Sequence, residues 1–181
     1  MASFHPAPEW DCSSWLNTPA PLSLAALRGK PIVAAAFQML CPGCVAHTIP
    51  QLLKVHERFG KDVMVLGLHS VFEHHDAMRE PSLKAFLHEY RVRFPVGVDR
   101  HVAGDPLPVT MRRYRFQGTP TLMLIDAAGN LRQQVFGHMP DLELGAEIMA
   151  LLRDAGEAAP AAQEPATEAP GDRCEVGAGS C

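Results

Sequence analysis

The feature that most constrains the fold is a cysteine pair between a strand pattern and a helix pattern. An uninterrupted apolar run, Ile32 to Phe37, follows Gly29-Lys30-Pro31 and is typical of a central strand buried on both faces. Cys41-Pro42-Gly43-Cys44 comes next, and apolar residues from Pro42 to Phe59 recur at close to helical spacing. Pro50 is expected to kink this helix about two turns in. The cysteines are therefore expected where a buried strand passes into a helix.

The rest of the chain alternates between strand and helix patterns. Further strands are predicted at Val63–Leu68, Phe94–Val98, Thr121–Ile125 and Leu131–Phe136, and further helices at Ser82–Tyr90 and from Asp141 to about Arg153. The turn at residues 126–130 joins the last two strands into a hairpin. This order predicts an α/β fold with a mixed central sheet flanked by helices on both faces.

Composition divides the chain into three predicted parts. Residues 1–21 are rich in proline and small residues and are expected to be an irregular lead-in, whereas residues 22–154 should form the folded domain. Residues 155–181 are expected to be a flexible tail, because a segment made mostly of Ala, Pro and Glu cannot build a core. The tail contains Cys174 and Cys181, which are either an accessory redox pair that exchanges with the first two cysteines or unreactive thiols.

Charge and hydropathy exclude several functional classes. The net charge is −4 and no run of Lys or Arg occurs, so neither a nucleic acid nor an anionic membrane is an expected partner. No apolar stretch approaches the roughly 20 residues of a membrane helix. The first ten residues lack the basic start and apolar core of a secretory signal, and five cysteines are too few for a disulfide scaffold. A cytoplasmic location is therefore predicted.

The spacing of the cysteine pair favours redox chemistry. Pro42 suits the first helical position, and a helix N-terminus favours a thiolate at Cys41. Cys44 lies about one turn further on, so its sulfur should reach Cys41. Cys41 is then the predicted nucleophile and Cys44 the resolving thiol. Half of a zinc site, or an unreactive pair, stays open as an alternative, although no second such pair and no further Cys-x-x-His stands elsewhere in the predicted domain.

Three segments together resemble the thioredoxin-like family, and most closely its TlpA-type and peroxiredoxin-like (AhpC/TSA, redoxin) members. They are Leu22 to Pro31, the Cys41-Pro42-Gly43-Cys44 motif, and Gly118-Thr119-Pro120-Thr121. The resemblance covers about residues 20–153. It implies a thioredoxin-like fold and thiol–disulfide oxidoreductase activity without a cofactor, acting on a protein or small-molecule disulfide and recycled by a thiol reductant.

The same resemblance implies how the site is arranged. Pro120 would be a cis-proline that faces the cysteines, and Thr119 would offer its backbone to a substrate. Pro42 and Gly43 would line the same substrate-binding surface. A cis X-Pro bond is a costly feature that is normally kept at a tight turn.

The sequence departs from its relatives at several positions. Leu40 stands where thioredoxins have tryptophan, and the pair encloses Pro-Gly instead of Gly-Pro. The strand before Cys41 has no acidic residue, which thioredoxins use for proton transfer to the buried cysteine, and the threonine-and-cysteine loop of peroxiredoxins is missing. Two alternatives to disulfide reduction stay open, a thiol-dependent peroxidase and a Sco-like copper carrier that uses Cys41, Cys44 and one histidine.

Histidines are the remaining candidates for site residues. His47 lies three residues past Cys44, where TlpA-type proteins often have glutamate, and is either a proton relay or a surface histidine. A second group follows the second strand and is either a polar loop or a copper or zinc site at a strand end; its members are His69, Glu73, His74 and His75. Cys12, close to two tryptophans, is expected to be structural or unreactive.

Overall fold

The structure, a computed structural model, describes residues 4–158, and within them a seven-stranded sheet forms the centre of the fold. In chain order the strands are β1 (His5–Pro6), β2 (Cys12–Leu16), β3 (Ile32–Phe37), β4 (Met64–His69), β5 (Val96–Asp99), β6 (Thr121–Ile125) and β7 (Asn130–Phe136). They lie side by side in the order β1-β7-β6-β3-β4-β5-β2. β3, β4 and β5 are parallel to one another, and the other pairings are antiparallel.

Four α-helices accompany the sheet within residues 4–158. They are α1 (Ile49–Phe59), α2 (Glu80–Glu89), α3 (Val109–Tyr114) and α4 (Asp141–Ala158). α1, α2 and α4 pack on one face of the sheet, against the buried side chains of Val33, Ala35 and Phe37. α3 packs on the other face. The predicted α/β fold with a mixed sheet and helices on both faces is therefore confirmed. Among the helices of the described residues, none has the length and apolarity needed to cross a membrane.

The N-terminal part differs from the predicted irregular lead-in. β2 pairs antiparallel with β5 and β1 pairs with β7, so residues before position 21 supply both edges of the sheet. Between them Trp10 is buried and its Nε1 donates to the carbonyl of Leu22 at 2.9 Å. These strands are short and their burial does not alternate clearly, so they become strands only through pairing with distant partners.

The first and last helices also differ from the predictions. Cys44–Thr48 is π-helical and runs directly into α1, which begins at Ile49 with Pro50 in its first turn. The wider π-helical turn therefore lies where the missing N–H of Pro50 interrupts the α-helical hydrogen-bond pattern. α4 continues past the predicted domain boundary at residue 154, because Ala and Glu are strong helix formers. The rest of the tail, with Cys174 and Cys181, lies outside the described residues.

Two strand ends define the edge of the sheet where the cysteine pair lies. β3 runs parallel to β4, with Phe37 opposite His69, and antiparallel to β6, with Ala36 opposite Thr121. The carboxyl end of β3 therefore lies beside the start of β6. The segment before Thr121 is brought next to the residues that follow Phe37, although about 80 positions separate them in the sequence.

Candidate active site

The two sulfurs of the cysteine pair occupy different environments. Cys41 is partly exposed after the end of β3, whereas Cys44 is fully buried in the π-helical segment. The Cys41 thiol donates to the carbonyl oxygen of Thr119, with 3.3 Å between Sγ and O. The arrangement provides one accessible thiol with a shielded thiol behind it.

The loop before β6 forms the opposite wall of the site. The Thr119–Pro120 peptide bond is cis, as the resemblance implied. The loop is held by two bonds of 2.8 Å, one from the N–H of Gly137 to the Pro120 carbonyl and one from the Thr121 hydroxyl to the Gly118 carbonyl. A fixed loop keeps the carbonyl of Thr119 in place for the thiol of Cys41.

Gly43 explains how closely this loop approaches the cysteine turn. A Cβ added there would lie 3.3 Å from Cδ of Pro120, which is tighter than nine in ten real Cβ contacts. Glycine therefore lets the proline ring pack directly on the turn. The structure brings together the predicted residues Cys41, Cys44, Gly43, Thr119 and Pro120, while Pro42 lies exposed at the start of the helical segment.

The pKa of Cys44 is controlled by opposing effects. Burial is the largest and raises the pKa to about 12, and the hydrogen bond with Cys41 acts in the same direction. Hydrogen bonds from the backbone of Gln38 and from the side chain of Thr119 lower the pKa. Cys44 is therefore a neutral thiol in the reduced protein near pH 7, and it reacts only when it loses its proton.

Gln38 is a site residue that the sequence analysis missed. It follows β3 directly, only 1% of its surface is exposed, and its amide contacts both the loop after β4 and Thr119. The available signal was a single polar residue between the apolar Phe37 and Met39, three positions before Cys41. A buried amide among apolar residues needs polar partners, and the sequence does not indicate where they come from.

His47 is placed on the surface of the π-helical segment. Its side chain is exposed, and its ring lies beside that of His138, with 5.2 Å between the ring centroids. Within residues 4–158 it makes no hydrogen bond to either sulfur of the pair. Its role as a proton relay stays a prediction.

The histidines after β4 do not converge. The buried ring of His69 packs against Phe37 at 5.4 Å between centroids, and burial lowers its pKa to about 4. His74 is exposed with a left-handed backbone, and His75 contacts His101 instead. In the part of the chain that the structure describes, no three His, Cys, Asp or Glu side chains are arranged to hold a metal ion. These residues therefore do not form the copper or zinc site that the sequence left open beside a polar loop.

Two exposed apolar side chains lie close in sequence or space to the site. Leu40 precedes Cys41 and is 57% exposed, and Phe136 is 53% exposed. The Phe136 ring lies over Gly118, where an added Cβ would come within 3.0 Å of it. The thiol of Cys41 is therefore accompanied by an apolar surface as well as by the backbone of the proline loop.

A family model decides the relationship of the chain. The model of the AhpC/TSA family matches residues 5–134, which is well over half of the sequence. The chain belongs to the AhpC/TSA family. Membership confirms the predicted relationship to the thioredoxin-like, redoxin branch. No curated protein sequence matches the chain.

Solved structures similar to this AhpC/TSA protein are also thioredoxin-like. The thioredoxin-like superfamily protein SPOA0173 is 57% identical with a TM-score of 0.81, covering 87% of this chain and 100% of its own. A thiol-disulfide isomerase from Corynebacterium glutamicum is 47% identical with a TM-score of 0.78, covering 81% of this chain and 96% of its own. The family and these neighbours support a redox function for the chain, as predicted.

The predicted cytoplasmic location is wrong by the same comparison. One structural neighbour is a secreted disulfide oxidoreductase from Mycobacterium tuberculosis, 23% identical with a TM-score of 0.60 over 80% of this chain and 96% of its own. Another is an exposed lipoprotein thioredoxin from Streptococcus pneumoniae, 23% identical with a TM-score of 0.58 over 72% of this chain and 91% of its own. The prediction depended on the first ten residues and the number of cysteines, and neither determines the compartment of a protein with this fold.

Proposed function

We propose that this AhpC/TSA family member is a thiol–disulfide oxidoreductase that reduces disulfides through Cys41 and Cys44. The observation that supports the proposal most directly is the contact between the partly exposed thiol of Cys41 and the carbonyl of Thr119, at 3.3 Å, beside the cis-proline loop. A sulfur in this position is accessible to a substrate disulfide, while the buried Cys44 is protected from unrelated oxidants.

The proposed reaction has two exchange steps. The thiolate of Cys41 attacks one sulfur of the substrate disulfide, the substrate S–S bond breaks, and the first substrate thiolate leaves and takes up a proton. Cys44 then loses its proton to solvent and attacks Sγ of Cys41. The mixed disulfide breaks, and the second substrate thiolate leaves and is protonated. The substrate gains two electrons, the protein dithiol becomes a disulfide, and a thiol reductant restores it.

Protein disulfides are the substrate class that the site favours. An extended peptide could lie along the proline loop with apolar side chains against Leu40 and Phe136, which are both more than half exposed. The similarity to the thiol-disulfide isomerase at 47% identity points to the same class. Low-molecular-weight disulfides would lack the apolar contacts, so we expect them to react more slowly.

The test compares four full-length proteins in the reduction of insulin, with dithiothreitol as the reductant. Wild type is expected to catalyse the reaction, and Cys41→Ser to lose it. Prereduced Cys44→Ser, freed of dithiothreitol before it is mixed with insulin, should instead accumulate a mixed disulfide between Cys41 and a substrate peptide, which mass mapping identifies. Cys12→Ser is the matched control, because that thiol is partly buried in β2 and burial raises its pKa to about 12. Full activity of Cys41→Ser would refute the proposal.

The tail thiols enter the proposal as an accessory redox pair. Cys174 and Cys181 would pass electrons to the disulfide of Cys41 and Cys44 by exchange. Replacing both tail cysteines by serine is expected to slow recycling by a thiol reductant without changing the single-turnover reaction of prereduced protein. Equal recycling rates would assign the tail thiols no part in the reaction.

Thiol-dependent peroxide reduction is a second candidate, which the match to the AhpC/TSA model favours. The thiolate of Cys41 would attack a peroxide oxygen, giving a sulfenic acid and releasing the alcohol or water. Cys44 would then attack the sulfenic sulfur, forming the disulfide and releasing water. Peroxide consumption by the same four proteins separates the two activities, and a rate no faster than that of free cysteine would remove this candidate.

A further inference from the structure

The turn that carries Cys41 begins at a residue that neither step of the proposed reaction uses. Gln38 follows β3 directly, and its backbone carbonyl accepts a hydrogen bond from the N–H of Cys41 at 3.3 Å. Residues 38–41 therefore form a β-turn, in which Leu40 is 57% exposed. The backbone of Gln38 thus supports one side of the proposed substrate surface, which consists of Leu40 and Cys41.

The side chain of Gln38 extends to the other side of that surface. Oε1 accepts a hydrogen bond from the backbone N–H of Phe72 at 3.2 Å, and a backbone N–H can only donate. Nε2 is then the end of the amide that lies 3.3 Å from the hydroxyl of Thr119 and 3.5 Å from a carboxylate oxygen of Glu73. An oxygen at that end would face the carboxylate of Glu73, which only accepts when ionised. The amide therefore donates to Thr119 and accepts from the loop after β4.

The bond to Thr119 continues the register of the sheet. β3 and β6 pair antiparallel, and their last pair is Ala36 with Thr121. Two residues further on, the same register sets Gln38 opposite Thr119. Pro120, between Thr119 and Thr121, has no N–H to donate to a backbone ladder. The buried side-chain bond therefore joins the two segments where the backbone bonds of the sheet have stopped.

Three hydrogen bonds close a ring around the reactive sulfur. The N–H of Cys41 donates to the carbonyl of Gln38, the amide of Gln38 donates to the hydroxyl of Thr119, and the thiol of Cys41 donates to the carbonyl of Thr119. The third bond is lost when the thiol gives up its proton or enters a mixed disulfide. The first two do not involve the sulfur, so they still fix the spacing between Cys41 and the proline loop when a substrate is bound.

We propose that Gln38 is a positioning residue that sets the selectivity for protein disulfides, because its amide holds the proline loop in register with Cys41. The inference rests on the proposed function. A polypeptide substrate contacts Leu40 and the proline loop at the same time, so its affinity depends on the spacing of the two. A small disulfide needs only the sulfur of Cys41, and its reaction does not depend on that spacing.

A purely structural role for Gln38 would have different consequences. Only 1% of its surface is exposed, so the loss of its hydrogen bonds also lowers the free energy of unfolding. A smaller folded fraction lowers kcat towards every substrate by the same factor and leaves KM unchanged. A loop that has lost its position instead raises KM for a polypeptide substrate alone.

The test compares a protein disulfide with a small one, in the full chain carrying Cys174→Ser and Cys181→Ser. Insulin, with dithiothreitol as the reductant, gives KM and kcat in the steady state. The small disulfide is 5,5′-dithiobis(2-nitrobenzoate), mixed with prereduced protein freed of dithiothreitol. The coloured thiolate that it releases gives the rate constant for attack by Cys41.

Four single variants separate position from stability. Gln38→Met retains the length of the side chain without its hydrogen bonds, Thr119→Val removes the hydroxyl, and Thr119→Ser retains it. Thr110→Val is the matched control, because the buried hydroxyl of Thr110 accepts from the N–H of Asp11 at 2.8 Å, outside the ring around Cys41. Its loss should lower stability without changing KM.

Gln38→Met and Thr119→Val are each expected to raise KM for insulin about five- to tenfold, the effect of one lost hydrogen bond. Their kcat and their rate constants with the small disulfide should stay within about twofold of wild type, as should KM of Thr119→Ser and Thr110→Val. The double variant Gln38→Met with Thr119→Val should have a KM no higher than that of the more affected single variant, because both changes remove the same bond.

Three results would overturn the inference. One is an unchanged KM for insulin in Gln38→Met. Another is an equal loss of rate towards both disulfides, which a purely structural role would give. A third is a double variant whose rise in KM equals the product of the two single effects. If Gln38→Met does not fold, equal KM values for Thr119→Val and Thr119→Ser would exclude the bond. A wild type that does not reduce insulin would instead refute the proposed function itself.

Discussion

Gly67, in the middle of β4, provides a quantitative test of how the strand before the cysteine pair is packed. A Cβ at this position would lie 2.9 Å from Cε1 and 3.4 Å from Cδ1 of Phe37, and 3.4 Å from Cγ2 of Val96. Carbon atoms attract each other best at about 3.5–4.0 Å, so the ring of Phe37 would have to move by roughly half an ångström or more. Phe37 is fully buried and packs between Phe86 and His69, so it cannot move into solvent.

Gly67→Ala is therefore expected to destabilise the protein. Overpacking of a buried site costs about 1–3 kcal/mol, and the gain from a less flexible unfolded chain offsets about 0.4–1 kcal/mol. The net loss in the free energy of unfolding is about 1–2 kcal/mol. Urea unfolding followed by the fluorescence of Trp10 and Trp15 measures it. Gly145→Ala in α4 is the matched control, because a Cβ there has no atom within 4 Å, and it should stabilise by about 0.5–1 kcal/mol.

A second substitution identifies the cause of the loss. Phe37→Leu makes space beside position 67, so the double variant Phe37→Leu with Gly67→Ala should be more stable than the sum of the two single losses predicts. A coupling of at least about 0.5 kcal/mol is expected for side chains in direct contact. The packing argument would be refuted if Gly67→Ala were as stable as wild type, or if the two losses were additive.

Three further predictions concern single titratable groups. Burial raises the pKa of both Cys12 and Cys44 to about 12. Iodoacetamide at pH 8 should therefore label these two thiols at least about tenfold more slowly than Cys41, as followed by peptide mass mapping. Equal labelling rates would contradict their burial. Burial lowers the pKa of His69 to about 4, whereas the pKa of this side chain in the unfolded chain is about 6.5. As the pH is lowered, the unfolded chain therefore takes up the proton before the folded protein does. The free energy of unfolding should then fall as the pH drops from about 6.5 to 4, by up to about 3 kcal/mol, and His69→Gln should remove that loss in urea titrations at several pH values. If His47 is the predicted proton relay, His47→Gln slows the resolving step about tenfold or more near pH 7 in the single-turnover reaction of prereduced protein with a chromogenic disulfide. An unchanged rate would leave His47 no part in proton transfer.

The sequence by itself determined those features that depend on neighbouring residues. The bounds predicted for β3 and β6 agree with the structure, because a continuous apolar run between polar residues specifies a buried strand locally. The cysteine motif between a strand pattern and a helix pattern predicted the turn at which Cys41 lies. The α/β class followed from the order of these local patterns.

Edge strands and helix boundaries depended on partners that lie far away in the chain. β1 and β2 have little strand pattern of their own, and they form because β7 and β5 offer unpaired backbone groups. The six residues of α3 are too few for a clear helical period. Pairing of this kind is not visible in the composition of the segments that take part.

The details of the candidate site were decided by the tertiary structure. The sequence placed Thr119 and Pro120 near the cysteines only through a family resemblance, and the antiparallel pairing of β6 with β3 is what brings the loop to Cys41. Gln38 was missed because its side-chain partners, Phe72 and Thr119, lie 34 and 81 positions away. Local sequence specifies which backbone conformations are favourable, but a buried amide or thiol acquires its chemistry from the groups that folding places within about 3 Å of it.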